Sequence, residues 1–336
     1  MPDTMTSREV RLASRPAGMP TRETFEMAQV EVGPPGPGEV LVRNLWMSVD
    51  PYMRGRMREG RSYVPPFELG RALEGGAVGE VVASNADGYA PGDRVLTMMG
   101  WREAFTAPAK ALTKLPDLPL PDEAYLGAAG LTGLTAWIGL TKVAGIAEGE
   151  TVFVSAASGA VGSIVAQIAK IRGATVIGSA GGPEKCDWLR EIGCDEAIDY
   201  MAQDDMADAL RRAAPGGIDV YFDNVGGDHL EAALACARDH ARFALCGAIS
   251  MYNDAAPRGP SNLFQAIGRR IRLEGFIVSD HMGEMPAFLR EMAGWIDGGR
   301  IRWEQTVAQG IDAAPDAFLR LFTGDKMGKM LVRLAA

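Results

Sequence analysis

Hydrophobic residues in the second half of the chain alternate between short continuous runs and helical stripes. The stripes repeat every three or four residues, as at Val161, Ile164, Val165 and Ile168, and indicate helices with one buried face. The short runs indicate buried strands; they cover residues 151–156, 175–180, 197–200, 219–223, 243–247 and 273–278. Strands that alternate with helices in this way predict an α/β fold with a doubly wound parallel sheet.

The first part of the chain has a different pattern, in which short β-prone runs are separated by turns rich in proline and glycine. Such runs cover residues 39–45, 76–83 and 93–98. This pattern predicts a barrel-like β domain over residues 1–125, and the α/β domain then occupies residues 126–304.

The end of the chain returns to a mixed pattern. After Arg300 it predicts a strand, a helix and a strand, at residues 303–309, 313–322 and 328–334. We expect residues 305–336 to return to the first domain rather than to extend the parallel sheet.

Charge and composition argue against several kinds of partner. The net charge is −9 and no basic stripe offsets it, which argues against nucleic-acid binding. No basic N-terminal segment precedes an apolar run, and no stretch reaches ~18 apolar residues, so neither a signal peptide nor a membrane span is expected. The four cysteines are too irregularly spaced for a disulfide framework. We therefore expect a reduced, cytoplasmic protein that acts on a small molecule.

A glycine-containing turn follows the first predicted strand of the α/β domain. Gly159 and Gly162 match the second and third glycines of the G-x-G-x-x-G motif, and Ala157 replaces the first. A glycine at 159 lets backbone N–H groups approach a pyrophosphate, and Gly162 lets the following helix pack closely on the strand. In a β-α-β unit this turn predicts a Rossmann domain that binds a dinucleotide.

The second predicted strand of this domain favours NADPH over NADH. NAD-binding folds place an acid at the tip of this strand to bind the ribose hydroxyl, and none occurs here. Lys185 follows and would meet a 2′-phosphate. The alternative is that Lys185 is solvated and Glu184 binds the ribose, although Glu184 lies beyond a Gly-Gly-Pro turn.

The distribution of metal-ligating residues argues against a metal site. Alcohol dehydrogenases with this two-domain layout hold a catalytic zinc through cysteine and histidine of the β domain. Residues 1–185 contain neither cysteine nor histidine, and the histidines are His229, His240 and His281. Carboxylates alone suit hard ions, so we expect no catalytic zinc.

Several motifs occur in order along nearly the whole chain: SVDPYMRGR at 48–56, RSYVPPFELG at 61–70, AASGAVG at 156–162, YFDNVGG at 221–227, CGAIS at 246–250 and LEGFIV at 273–278. With these motifs the chain resembles the leukotriene B4 dehydrogenase/prostaglandin reductase family of medium-chain dehydrogenases/reductases, in particular its bacterial, curcumin reductase-like branch. The resemblance implies a GroES-like β-barrel domain joined to the Rossmann domain, zinc independence and a homodimer. It also implies NADPH-dependent reduction of the carbon–carbon double bond of α,β-unsaturated ketones and aldehydes, with hydride transfer to the β-carbon.

The same resemblance implies the residues that contact the cofactor. The pyrophosphate would lie on Gly159, Ala160, Val161 and Gly162, and the 2′-phosphate end on Lys185 and Tyr200. The ribose and nicotinamide would be lined by Asn224, Cys246, Gly247, Ala248, Ile249, Ser250, Met251, Tyr252, Phe276, Ile277 and Val278.

Two positions depart from the family pattern. Lys326 stands where many members have an asparagine near the nicotinamide. The prostaglandin reductases also carry a substrate-site tyrosine upstream of the Glu-Gly-Phe motif, and residues 266–271 contain none. Prostaglandin specificity is therefore not expected.

Three tyrosines are the candidate catalytic residues. Without zinc, the substrate carbonyl must be polarised by hydroxyls or backbone N–H groups, and tyrosine donates while neutral at pH 7. Tyr52 follows a proline that fixes the turn, Tyr63 lies in a loop that would cover the substrate, and Tyr252 ends the nicotinamide segment. The alternatives are a buried tyrosine bonded to backbone at 52 and a surface aromatic at 63. Nearby, Arg56 and Arg58 are expected to be solvated.

Two other functions stay open at this point. Zinc-free medium-chain enzymes also include quinone reductases. A non-catalytic NADPH-binding stress or structural protein would keep the phosphate turn and lose turnover.

Overall fold

The computed structural model describes residues 4–335 and divides the chain into two compact units. The first unit begins with the strands β1 (Met5–Leu12), β2 (Phe25–Val32), β3 (Glu39–Ser48), β4 (Ala77–Ser84), β5 (Arg94–Thr97), β6 (Ala104–Pro108) and β7 (Thr113–Lys114). The short helix α1 (Met53–Arg56) follows β3. β1 pairs antiparallel with β2, and β3 pairs antiparallel with both β4 and β6.

The second unit consists of Gly127–Glu304 together with Met327–Lys329. Its strands are β8 (Thr151–Val154), β9 (Thr175–Ala180), β10 (Glu196–Asp199), β11 (Ile218–Asp223), β12 (Ala237–Leu245) and β13 (Arg272–Gly275). Its helices are α2 (Leu131–Ile138), α3 (Gly162–Ile171), α4 (Pro183–Glu191), α5 (Met206–Ala213), α6 (Gly227–Cys236), α7 (Gln265–Arg269) and α8 (Met285–Asp297). The strands form one parallel sheet in the order β10-β9-β8-β11-β12-β13, which is the doubly wound arrangement.

The central strands of this sheet are hydrophobic because helices cover both faces. Phe153 of β8 faces a cluster with Tyr221 and Phe243, while its neighbour Val154 faces a second cluster on the opposite side. Helix α3 buries most of its length against the sheet. This packing places the carboxyl ends of β8, β9 and β11 side by side, where a ligand binds in open parallel sheets.

The C-terminal segment contains β14 (Gln305–Gln309), α9 (Ala314–Thr323) and β15 (Lys329–Arg333). β15 pairs antiparallel with β3, in a seven-stranded sheet ordered β14-β15-β3-β4-β5-β7 in which β6 also pairs with β3. In the core of the first unit, Phe318 of α9 packs edge-on against Phe25 and Trp101. Residues 327–329 interrupt this return, because they cluster with the second unit.

The predicted α/β fold class, a β-rich unit followed by a Rossmann-type parallel sheet, is confirmed. In the parallel sheet, two strand ends differ most from the prediction. β12 begins at Ala237 rather than at 243, because exposed polar residues (Arg238, Asp239 and His240) mask its first half in the hydrophobic pattern. β13 ends at Gly275, so Phe276, Ile277 and Val278 follow the strand instead of lying in it. Within residues 4–335, no helix has the length and apolar character needed to cross a membrane.

Candidate functional site

The turn between β8 and α3 has the close backbone packing of a nucleotide-binding turn. Its chain reverses at Ala156, which has a φ of 48°, and the Ala157 N–H donates to the Ser179 carbonyl at 2.8 Å. A Cβ on Gly162 would lie 2.4 Å from the Ala156 carbonyl oxygen, so only glycine fits there. Ala157, in place of the first glycine, is fully buried.

The N-terminus of α3 has a positive electrostatic potential that favours an anion. The helix begins at Gly162, and its N-cap residue Val161 provides no side-chain hydrogen bond to the first turn. The N–H groups of Gly159, Ser163 and Ile164 donate to carbonyls within the turn, and the helix dipole adds positive potential at this end of α3. Gly159, Ala160, Val161 and Gly162 therefore form a cradle that fits a pyrophosphate.

Gly328 supports this cradle, and sequence reasoning missed it. Its N–H donates to the Ser158 carbonyl at 2.9 Å, and it forms an isolated β-bridge with Gly159. A Cβ at this position would lie 1.9 Å from the Glu304 carbonyl oxygen, and its φ is 62°. The Gly-x-x-x-Gly spacing of residues 324–328 was the available signal, but nothing local connects it to a turn 170 residues earlier.

The turns after β9 and β10 bring the predicted 2′-phosphate residues to one corner. The Tyr200 hydroxyl lies 2.9 Å from where a Cβ on Gly181 would be, and the half-buried Lys185 follows in the first turn of α4. The Asp199 carboxylate accepts the Gly182 N–H at 2.8 Å and the Met201 N–H at 3.1 Å. The acid at the end of β10 is thus engaged by backbone, while Glu184 is exposed.

A buried polar network holds Asn224 beside the turn between β8 and α3. The Asn224 side-chain amide donates to the Ser155 carbonyl at 2.8 Å, and its N–H donates to the Ser155 hydroxyl at 2.9 Å. The Asp223 carboxylate accepts the Tyr221 hydroxyl at 2.7 Å and the N–H groups of Val225 and Gly226. Burial raises the pKa of Asp223, although these hydrogen bonds act in the opposite direction.

The segment of residues 246–252 is tied to the same network. The N–H groups of Cys246 and Gly247 both donate to the Asp223 carbonyl, at 2.9 and 3.0 Å. Further along, the Ile249 N–H donates to the Asn224 carbonyl, and the Ser250 hydroxyl donates to the Val225 carbonyl at 2.6 Å. Ala248 and Met251 pack against Gly226. The structure therefore brings the predicted segment to the carboxyl ends of β11 and β12.

Tyr252 turns back onto its own segment. Its hydroxyl accepts the Ala248 N–H at 3.3 Å and lies 3.1 Å from where a Cβ on Gly247 would be. Burial raises the pKa of this tyrosine. This geometry gives Tyr252 a structural contact, and its catalytic role stays a prediction.

Phe276 differs from its two neighbours in where its side chain lies. Its ring packs edge-on against Phe222 at 6.1 Å and fills space that a Cβ on Gly139 would occupy. The side chain thus belongs to the core of the second unit. Ile277 and Val278 are half-buried and follow the edge strand β13.

The remaining candidates, Tyr52, Tyr63 and Lys326, belong to the first unit. Tyr52 is half-buried and precedes α1; burial first, then the Asp50 charge, raises its pKa well above the usual range. Tyr63 is 60% exposed. Lys326 follows the left-handed Gly324 that ends α9, and its N–H donates to the Gly324 carbonyl at 2.9 Å.

Arg56 corrects the expectation that this stretch is solvated. Its side chain is only 7% exposed. The guanidinium donates to the Pro65 carbonyl at 2.8 Å and to the Glu74 carboxylate at 2.7 Å, and it lies over the Phe67 ring at 4.0 Å. Arg58 is half-buried.

Comparisons with known families identify both parts of the chain. Residues 8–115 match the family model described as the N-terminal domain of oxidoreductase, and residues 160–294 match the one described as zinc-binding dehydrogenase. The donor set here does not fit zinc. The β-rich unit up to residue 126 has no cysteine or histidine, and no group of three potential ligands is placed for a metal within residues 4–335.

Curated relatives match over nearly their whole length. The chain is 45% identical to the putative NADP-dependent oxidoreductase YfmJ of Bacillus subtilis, over 99% of both chains. It is 41% identical to the NADPH-dependent curcumin reductase of Escherichia coli, over 96% of both chains. It is also 41% identical to the NADP-dependent 2-alkenal reductase of Nicotiana tabacum, over 100% of this chain and 99% of the relative.

A solved structure shows the same architecture. The structure of CurA from Vibrio vulnificus in complex with NADPH superposes with a TM-score of 0.93 at 39% identity, covering 98% of this chain and 99% of that one.

Proposed function

Because this chain belongs to the zinc-independent leukotriene B4 dehydrogenase/prostaglandin reductase family of medium-chain dehydrogenases/reductases, we propose that it reduces the carbon–carbon double bond of α,β-unsaturated ketones and aldehydes. The chain is an NADPH-dependent oxidoreductase of the branch that includes curcumin, 2-alkenal and prostaglandin reductases. The single observation that carries the proposal is the close-packed turn at Gly162, at the start of α3, in a chain whose relatives include an NADP-dependent oxidoreductase and an NADP-dependent 2-alkenal reductase.

The residues around this turn fit NADPH. We assign the pyrophosphate to the backbone of residues 159–162 and the 2′-phosphate to Lys185 and Tyr200. The Asp199 carboxylate accepts the Gly182 and Met201 N–H groups, so this acid holds the two turns that carry Lys185 and Tyr200. When bound, NADPH supplies a hydride to the substrate β-carbon.

The nicotinamide half is assigned to Asn224, the segment of residues 246–252, and Ile277 and Val278. The network of Ser155, Tyr221 and Asp223 holds this backbone in place before any ligand arrives. Preorganised donors cost no reorganisation when charge develops on a substrate. Phe276 is assigned a packing role and Tyr252 a role in holding its own segment.

Tyr52 is our candidate for polarising the substrate carbonyl. A phenol whose pKa is raised by burial stays protonated, so it donates a hydrogen bond to a carbonyl oxygen that gains negative charge. Tyr63, exposed on a loop of the same unit, is assigned to covering the substrate. Lys326 replaces the family asparagine, and its backbone N–H is engaged with Gly324.

The direct test is NADPH oxidation with a panel of a short alkenal, a benzalacetone-type enone, curcumin and a simple quinone, repeated with NADH. The proposal expects turnover of the alkenal or the enones, with NADPH strongly preferred. Turnover of the quinone alone would replace it with quinone reduction. Tight NADPH binding without oxidation of any substrate would replace it with a non-catalytic binding protein.

We further infer a homodimer from the edge of the Rossmann sheet. β13 ends that sheet with one unpaired side, and the exposed apolar residues Leu263, Phe264 and Ile267 lie just before it. Ile267 is 81% exposed, and such patches mark interfaces. Light scattering after size exclusion should give twice the chain mass, and Ile267→Asp should shift the protein toward the monomer. A monomeric wild type would contradict the inference.

A further inference from the structure

Residues 58–66 of the first unit form a loop with buried ends and an exposed tip. Met57 is fully buried and Phe67 is 4% exposed, whereas most residues between them are exposed. The ends are close together, since the Phe67 N–H donates to the Arg56 carbonyl at 2.7 Å. These features define a compact surface loop closed at its base.

Arg56 contacts the C-terminal end of this loop. Its guanidinium binds the Pro65 carbonyl and the Glu74 carboxylate, and it lies over the Phe67 ring. Charge-assisted hydrogen bonds from a planar guanidinium fix both distance and direction. With two such hydrogen bonds and one cation–π contact, the 7% exposed Arg56 side chain is held in one geometry.

Arg15 contacts both ends of the loop. It donates to the Phe67 carbonyl at 2.9 Å and to the Met57 carbonyl at 3.3 Å. Its guanidinium also lies 3.3 Å from the carboxylate of Glu59, at the start of the loop. Arg15 and Arg56 together donate to the carbonyls of Met57, Pro65 and Phe67, at the two ends of the loop.

Tyr63 lies at the tip of the loop, and Tyr52 immediately precedes helix α1. Arg56 lies one helical turn after Tyr52, and its guanidinium donates to the Pro65 carbonyl, two residues after Tyr63. Arg56 therefore connects the helix that follows Tyr52 to the loop that carries Tyr63. We expect a change in how Arg56 holds the loop to move Tyr63 relative to Tyr52.

We propose that Arg56, assisted by Arg15 and Glu74, is a positioning residue that sets Tyr63 beside Tyr52 and thereby determines selectivity for enones with a bulky aromatic substituent. The inference rests on the proposed enone reduction. An aromatic ring held at a defined place gains stacking contact with an aromatic substrate, whereas a short alkenal needs only the carbonyl donor. Arg56 touches neither substrate nor cofactor in this account.

The test compares Arg56→Gln, Arg56→Lys and Glu74→Gln with the matched control Arg71→Gln, which removes an exposed arginine paired with Glu68 at 3.0 Å. For each, kcat and KM are measured with a benzalacetone-type enone and with a short alkenal. We expect Arg56→Gln to raise the KM of the aromatic enone about five- to ten-fold, with the alkenal and NADPH values within about two-fold. Glu74→Gln should show a smaller change in the same direction, and Arg71→Gln none.

Hydrogen exchange supplies a readout independent of turnover. The backbone N–H groups of residues 58–64 and of Phe67 should exchange faster in Arg56→Gln than in the wild type or in Arg71→Gln. Equal losses with both substrates, or no change in either, would overturn the inference while enone reduction stands. A wild type that reduces no enone would instead overturn the proposed function and this inference with it. If Arg56→Gln fails to fold, Arg56→Lys and Glu74→Gln decide the question alone.

Discussion

At the residue scale, charge and burial support the roles proposed for Lys185 and Tyr52. Lys185 is a half-buried cation at a corner where the Asp199 carboxylate accepts two backbone N–H groups. Tyr52 is a phenol whose proton is retained by burial. Both residues were identified from sequence, but the states of their neighbours were not.

Replacing Lys185 tests the cofactor assignment. Lys185→Ala should lower the affinity for NADPH by roughly 10- to 100-fold, because a charge-assisted contact to a phosphate contributes about 1.5–3 kcal/mol. NADH affinity should change little, so the preference between the cofactors shrinks. Titration by protein fluorescence measures both. Arg190→Ala, an exposed arginine of the same helix paired with Asp187, is the control. An unchanged NADPH preference would contradict the assignment.

Replacing Tyr52 tests the carbonyl donor. Tyr52→Phe should lower kcat for enones about 100-fold with little change in the KM of NADPH, as expected for the loss of one donor to a developing oxyanion. Because the pKa of Tyr52 is raised well above its usual value, the phenol stays protonated and should add no limb to the wild-type profile between about pH 6 and about pH 9. A Tyr52→Phe variant with full kcat would leave Tyr52 a packing residue.

At the element scale, the turn between β8 and α3 shows how backbone geometry and sequence agree. Gly159 and Gly162 mark it in the sequence, and the strand order of the parallel sheet places it at the carboxyl end of the central strand β8. Its support from Gly328 depends on a distant segment that no local pattern reveals. The loop of residues 58–66 is the opposite case, since its anchors Arg15 and Arg56 look like surface residues in the sequence.

Gly162→Ala should disrupt this turn. The added Cβ would lie 2.4 Å from a backbone oxygen, so α3 must shift away from β8 and the amide cradle loses its shape. We expect NADPH binding to become undetectable by titration and the melting temperature to fall. Gly294→Ala is the control: its Cβ meets open space within α8, and this helix interior should gain about 0.5–1 kcal/mol. Normal NADPH affinity in Gly162→Ala would contradict the packing argument.

At the scale of the whole molecule, His229 should make stability depend on pH. It is buried between Phe153 and Tyr200 with an unpaired Nε2, and burial lowers its pKa from 6.5 to about 4. The unfolded chain then takes up a proton at a higher pH than the folded chain. Its contribution to folding, up to about 3 kcal/mol, is present above about pH 6.5 and is lost progressively as the pH falls toward 4.

Urea unfolding at several pH values measures this contribution. His229→Phe should flatten the loss of stability between about pH 6.5 and about pH 4, whereas replacement of the exposed His240 by Asn should leave it unchanged. If the free energy of unfolding falls equally with pH in His229→Phe and in the wild type, groups other than His229 cause the loss of stability in acid.

The sequence by itself determined the α/β class, the succession of most strands along the chain, the glycine-containing turn after β8, the use of NADPH and the lack of cysteine and histidine in the β-rich unit. These features depend on local periodicity, on glycines at fixed spacing and on residue types, all of which are written along the chain. The tertiary structure decided where β12 begins and β13 ends, that Asp199 is engaged, that Phe276 lies in the core and that Arg56 is buried. The physical reason is that burial and hydrogen-bond partners are set by segments far apart in sequence. The residues next to Arg56 therefore do not show whether its side chain is solvated or buried.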